Sequence, residues 1–452
     1  MSALPDLSGL AAPRYRLADA RVPACLLPDG LVRQAGLAVD AEGLARVDIA
    51  VEHGRLARIA PAGHPPPPAG DDPAGALPRI ALGGRLVLPG LVDSHTHLDK
   101  AFIWSRAPNP DGSFQAAIAA ASADALANWS TEDLRRRMNV ALRCAHAHGT
   151  VALRSHLDSF GAQTDISWGV FAELRTEWAG RVALQGVSLC TIDMAAEPDA
   201  LAPVVAAVRR DGGVLGAFLY PSPKLAEGLE ALFDAAERHG LDLDFHADET
   251  HDPAAQGLLA IARIARRRRF GGRILVGHCC SLAGQDAVQV DRTLDEVAGA
   301  GLAVVSLPLC NLYLQDRAPG RTPRWRGVTL LHEMKARGIE VMVASDNVRD
   351  PFYPHGDFDM IEIWREASRI LHLDHPVGDW PRIVGATPAG ILGLDAGTLR
   401  QGGRADLVIT GARSVHGLFA RPGTPRLVVR DGRPSEARLP DLAELEEEIA
   451  RP

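Results

Sequence analysis

Eight short apolar runs recur along the middle of the chain, and nearly every one ends in a polar residue. They read "LVLPGLVDSH", "GTVALRSHLD", "RVALQGVSLC", "GVLGAFLYP", "LDLDFHADE", "RILVGHCC", "LAVVSLPLC" and "IEVMVASDN". Most are almost continuously apolar rather than alternating, which is the pattern of strands buried on both faces of a parallel sheet. Helical stretches such as "LAPVVAAVRR" and "GLEALFDAAERHG" lie between them. Strand–helix alternation repeated eight times predicts an α/β fold, a (β/α)8 barrel of the TIM type. A doubly wound sheet could use the same units but would not need a polar residue at nearly every strand end. At 452 residues the chain exceeds one small core, so a large barrel with an accessory domain fits its length.

Both ends have a different texture. "RVDIAVEHGRLARIAPAG" and "RIALGGRLVLPGLV" near the N-terminus, with "GGRADLVITG" and "PRLVVRDGRP" near the C-terminus, are short strand runs broken by glycine turns. They predict a small β-sandwich domain assembled from residues 1–88 and 395–452, with the barrel in 89–394. "GHPPPPAGDDPAG" is a proline-rich loop that no regular element crosses. The interval between the first two barrel runs is unusually long, so a loop or lid is expected over 101–145.

A formal charge of −8 argues against general affinity for nucleic acid or an anionic membrane. No apolar stretch approaches the length of a membrane span. The opening residues lack the pattern of a secretory signal. Six scattered cysteines form no C-x-x-C, so reduced thiols in a cytoplasmic protein are expected.

In a (β/α)8 barrel the active site gathers at the C-terminal strand ends. Those ends supply His95 and His97 on the first strand, His156 on the second and His246 with Glu249 on the fifth. His278 closes the sixth and Asp346 the eighth. Alternation along a strand sends His95 and His97 to one face. Imidazoles with a carboxylate suit zinc, ferrous iron or manganese without a thiolate. A divalent ion brings the pKa of its water down to about 7.

"PGLVDSHTHLDK", "FHADET", "GHCCSL" and "ASDNVRDPFYPHGD" resemble the amidohydrolase superfamily, specifically its cytosine-deaminase-like branch. "PLCNLYLQDR", "RWRGVTLLHEM", "ATPAGILGL" and "GGRADLVI" extend the resemblance over about residues 82–410. The resemblance implies one divalent metal ion per chain held by His95, His97, His246 and Asp346. It makes His278 the group that polarises water or ring, Glu249 the proton carrier and Asp346 a base as well as a ligand. Lys224 is the nearby candidate for a metal-bridging lysine, but it lies beyond the fourth apolar run, which favours a single-metal site. Asn347, Lys100 and Phe352 stand where cytosine deaminase has an aspartate, a smaller polar residue and a tryptophan. With His156 and Gln315 they are the candidate substrate contacts, His156 being equally readable as a pocket-lining or supporting histidine and Gln315 as a loop-bracing amide. These departures make the reaction class firmer than cytosine as substrate.

Other features have plainer readings. His146 and His148 precede the second strand and are structural. The arginines of "ARRRRFGG" are a solvated helix end. Cys279 and Cys280 pack the barrel wall, and Asp99 ties down its loop. Phe102 and Trp104 either close over substrate or pack against a neighbouring subunit.

The expected activity is hydrolysis of an exocyclic C–N bond on a small nitrogen heterocycle of pyrimidine, pterin or triazine type, releasing ammonia. Two alternatives keep the site: loss of an alkylamine, or opening of a cyclic amide. A third, a non-catalytic barrel that only binds, would expect lost ligands, and none of the strand-end groups is missing. Homo-oligomerisation is expected from the resemblance.

Overall fold

The computed structural model describes residues 4–34, 36–63 and 77–441, with 443, 446 and 447. Apart from Gly63, the proline-rich segment predicted as a loop lies outside the described residues. The chain divides into two compact units. One takes in the described residues of Met1–Val92, His146–Val151 and His372–Arg438; the other takes in those of Asp93–Ala145, Ala152–Leu371 and Leu439–Pro452.

Five strands come first: β1 (Arg14–Pro23), β2 (Leu44–Glu52), β3 (Arg55–Pro61), β4 (Arg79–Ala81) and β5 (Val87–Pro89). The barrel strands follow as β6 (Leu91–Thr96), β7 (Thr150–Asp158), β8 (Ala183–Thr191) and β9 (Leu215–Phe218). They continue with β10 (Leu243–Ala247), β11 (Ile274–His278), β12 (Ala303–Ser306) and β13 (Glu340–Val343). The last three are β14 (Leu407–Thr410), β15 (Arg426–Arg430) and β16 (Arg433–Pro434).

Strands β1–β4 form one sheet in the order β3-β2-β1-β4, and β5 joins the C-terminal strands in a second, β16-β15-β14-β5. Tyr15, Leu17, Val47, Ile49 and Val51 from the first share one buried cluster with Leu407, Ile409 and Val429 from the second. That shared apolar layer makes the pair a sandwich built from both ends of the chain, as the strand texture predicts.

The eight apolar runs become β6–β13, neighbours in chain order in one parallel sheet. Thr96 bridges Asp346 in parallel, and the Asp346 N–H donates to the His95 carbonyl at 2.9 Å. That link joins the first strand to the end of the last and closes the barrel. The strands are buried on both faces, β6 and β10 without exception. Helices cover the outside through apolar faces at helical spacing: Leu225–His239 buries Leu229, Leu232, Phe233 and Ala236. It stops at Gly240, whose φ of 63° suits glycine.

The interval predicted as a lid is ordered into two helices, Phe114–Asn128 and Thr131–His148. Arg106 locks them together, its guanidinium donating to Asp124 at 2.8 Å and Asp133 at 2.6 Å. The fully buried Arg137 donates to Asp133 and to the carbonyls of Asp99 and Ala101. Among the described residues no helix is long and apolar enough to cross a membrane.

Candidate metal centre and active site

His95 lies on β6 and His97 just beyond it; His246 lies on β10, and the register sets His246 beside Gly277 on β11. The three imidazoles meet. His246 Nε2 is 3.1 Å from the Nε2 atoms of both His95 and His97. Asp346 Oδ1 lies 3.4 Å from His95 Nε2 and 3.3 Å from His97 Nε2. None of these side chains is more than 4% exposed. Gly277 makes room, since a Cβ there would stand 2.9 Å from His95 Cε1. Asp346 and His278 sit at φ values of 62° and 70°, a region that non-glycine residues occupy at a cost and most often at functional sites.

The electrostatics identify what this cluster suits. Burial holds the His97 and His246 imidazoles well below their ordinary pKa, and neighbouring cations and imidazoles add to the effect. The rings are therefore neutral, with lone pairs to give. Burial alone would raise Asp346, but its contacts with His95 and His97 outweigh this and hold it well below the usual carboxylate range. Both Asp346 oxygens lack a hydrogen-bond partner. Converging neutral nitrogens beside a buried, unpartnered carboxylate are a donor set with no donor of protons, which is what a divalent cation satisfies. The ligand atoms fall into two overlapping groups, His95–His97–His156–His246 and His95–His278–Asp346.

Beside the cluster lies a pair of ionisable groups, Glu249 and His278. Glu249 Oε1 is 3.3 Å from His278 Nδ1. Asn311, from the helix Pro308–Leu314, places its Nδ2 3.2 Å from Glu249 Oε1 and 3.0 Å from His278 Nδ1. An amide nitrogen only donates, so His278 Nδ1 accepts and the neutral ring carries its proton on Nε2. Burial pushes His278 down to about 3, which keeps the ring neutral. Burial, reinforced by the Asp346 charge, pushes Glu249 well above the ordinary carboxyl range.

These groups close the inner end of a cavity of about 1070 Å³. Its wall continues through Phe114 and Ile118 of the first lid helix, then Phe160, Leu189, Phe218 and Tyr220. Phe352, Phe114, Phe218 and Tyr220 form a chain of ring contacts, with centroids 5.7, 6.0 and 5.6 Å apart in turn.

Comparison with known proteins decides the family. The chain is 46% identical, over 96% of its own length and 97% of the relative's, to a protein named pterin deaminase from Rhizobium rhizogenes. The chain belongs to the amidohydrolase family. The Amidohydrolase family model matches residues 218–435. N-isopropylammelide isopropyl amidohydrolase of a Pseudomonas species is 24% identical over 78% of this chain and 87% of that one. Among solved structures, 5-methylcytosine deaminase from Klebsiella pneumoniae, liganded with 5-fluorocytosine, shares the fold with a TM-score of 0.79. That match has 23% identity and covers 94% of this chain and 98% of that one. This amidohydrolase stands in the deaminase branch, among hydrolases of C–N bonds.

The structure brings His95, His97, His246, His278, Glu249 and Asp346 of the amidohydrolase together, and it sets Lys100, Gln315, Asn347 and Phe352 on the cavity wall. Asn347 donates Nδ2 to Asp350 Oδ2 at 2.6 Å. Gln315 reaches the Glu249 carbonyl at 3.4 Å. Lys100 is on the wall with its ammonium engaged by Asp158 and, at 3.6 Å, by Asp99. The structure does not bring His156 to the wall. Its ring is wholly buried behind His95 and His246, at centroid distances of 4.0 and 4.5 Å, and its Nε2 lies 3.2 Å from Asp244. Arg154 holds the other Asp244 oxygen at 2.7 Å.

Phe102 is buried against Phe358 and, like Trp104, stands off the cavity wall. Lys224 stands off the cavity wall, paired with Glu197 on a half-exposed surface. The 266–268 arginines pair with Glu230, Asp234, Glu237 and Glu296 on neighbouring helices.

Sequence reasoning missed Asn311, Asp244 and Asp350. Two of them carried a signal. Asn311 precedes Gln315 by four, one helical turn, and Asp244 precedes His246 by two on an alternating strand. Asp350 sits in an irregular segment and carried none.

Proposed function

We propose that this amidohydrolase removes the 2-amino group of a pterin ring as ammonia, with one divalent ion (zinc, iron or manganese) held by His95, His97, His246 and Asp346. The observation that carries the reading is that this buried His/Asp set and a carboxyl group whose pKa burial raises well above the ordinary range meet at the inner end of one cavity. The cavity, about 1070 Å³, is at the top of the ~300–1,000 Å³ range of ligand pockets. It has room for a two-ring substrate. The extensive identity to the R. rhizogenes pterin deaminase supports pterin over a single pyrimidine.

A divalent ion held by His95, His97, His246 and Asp346 would acidify the attacking water to near neutral pH, a pKa of about 7. The chain's own groups then manage the protons. Asp346, a ligand with a second carboxylate oxygen to spare, accepts the proton that water loses as it attacks the ring carbon. Glu249 delivers its proton to the adjacent ring nitrogen. His278, with its proton on Nε2, donates a hydrogen bond to the oxygen added at that carbon. Asp346 passes the proton it took to the exocyclic amine, which leaves as ammonia, and the hydroxyl added at the ring carbon returns its proton to Glu249. Water is consumed and the 2-oxo ring is the product.

The test is ammonia release by metal-reconstituted protein across pterin, cytosine, ammelide and N-isopropylammelide, with Asp346→Asn as control. Release from pterin with formation of its 2-oxo product, lost in the control, supports the reading. Isopropylamine from N-isopropylammelide with pterin untouched would replace deamination by dealkylation.

A further inference from the structure

We propose that Asp350 is a positioning residue that sets which atom of Asn347 the substrate meets, and so selects rings bearing an N–H over rings with a bare nitrogen there. The inference rests on the deaminase reading and deepens it.

Asp350 is wholly buried, four residues past Asp346. Its Oδ1 accepts the backbone N–H of Phe352 at 2.8 Å and of Tyr353 at 3.1 Å. Its Oδ2 accepts Asn347 Nδ2 at 2.6 Å. Burial pushes the Asp350 carboxyl up to about 7, so at pH 8.5 it is a carboxylate that offers only acceptors, and the Asn347 amide turns its nitrogen toward it. The Asn347 oxygen is left with one weak partner, the Cys310 thiol at 3.7 Å. Asn347 lies on the cavity wall beside Asp346 and Glu249. An amide so held presents an acceptor to the ring, and a buried acceptor left without a donor is costly. The lactam N–H of a 2-amino-4-oxo ring satisfies it. A 2,4-diamino ring has a bare nitrogen at that position and does not.

Asp350→Asn separates this role from mere bracing of the turn. The new amide's oxygen must keep accepting the Phe352 and Tyr353 N–H groups, which forces its nitrogen to face Asn347. Two donors then oppose each other, and the Asn347 amide flips to present nitrogen to the ring. Adding Asn347→Asp exchanges donor and acceptor between the two positions and again presents oxygen to the ring.

The experiment measures kcat and KM for pterin and 2,4-diaminopteridine with metal-loaded enzyme at pH 8.5. Wild type should favour pterin by tenfold or more in kcat/KM. Asp350→Asn should cut that ratio about tenfold, chiefly through the KM of pterin, and the double variant should restore it. Thermal unfolding reports whether the variants are folded. A folded Asp350→Asn that keeps the wild-type ratio overturns the proposal, as does a wild type that deaminates both rings alike. The second outcome needs no variant. A wild type that deaminates neither ring sinks the pterin reading on which the inference stands.

Discussion

The two ends of the cavity are built on opposite plans. The inner end is made of His97, His246, His278 and Asp346, with His95 directly behind them, all set at the ends of barrel strands and no more than 4% exposed. Neighbouring strands hydrogen-bond in fixed register, so these groups cannot shift independently. The outer end is made of side chains from a lid helix and loops, such as Phe114, Ile118, Phe160 and Tyr220, and Phe160 is 39% exposed. Those residues offer area and ring faces rather than directed lone pairs. The contrast teaches a division of labour. Chemistry is placed where the backbone is rigid, and substrate fit is placed where residues can change without disturbing it.

Breaking the inner end should be most damaging. Asp346→Asn removes the proposed ligand and base together, and kcat/KM should fall by about 10⁴-fold or more, with bound metal reduced in elemental analysis. Next comes Glu249→Gln, with an expected loss of about 10²–10⁴-fold. In the proposed mechanism its acid form is the working form. Because the folded protein raises its pKa, activity should persist above the ordinary carboxyl range and fall as pH rises through the raised value. The pH profile of kcat/KM should lose that alkaline limb in the glutamine variant.

Gly277→Ala adds one methyl group 2.9 Å from His95 Cε1 and touches no ligand chemically. If register and fit hold the inner end, metal affinity in competition with a chelator should weaken about 10–100-fold. At the outer end, Phe114→Ala should raise KM by about tenfold while leaving kcat within twofold, since it removes contact made equally in ground and transition states. Lys224→Ala should change activity less than twofold, because its ammonium is engaged with Glu197 outside the cavity. A large loss there would argue for a second metal ion.

Much of the inner end was legible before folding was considered. The spacing of His95 and His97, and of His246 and Glu249, is local, and each pair ends an apolar run that strand burial explains. Their order along the chain maps onto the order of strands around the barrel. His156 shows where such reasoning stops. It ends the right kind of run, yet its ring lies beneath the ligands against Asp244, because how deep a strand-end side chain sits depends on barrel packing. The lid shows the same limit. Phe102 and Trp104 were the conspicuous side chains there, but the helix from Phe114 reaches the cavity.

The sequence by itself determined the barrel, the sandwich drawn from both ends and which histidines and carboxylates stand at the strand ends. Hydrophobic period, turn residues and strand-end polarity are properties of short segments, and they survive without tertiary contacts. Only the tertiary structure decided that Asn311 joins Glu249 to His278, that Asp350 turns the amide of Asn347, and which aromatic rings line the outer wall. Those pairings join residues tens to hundreds of positions apart, or a few positions apart across an irregular turn. Directional hydrogen bonds form between them only once packing has fixed both partners to within a fraction of an ångström.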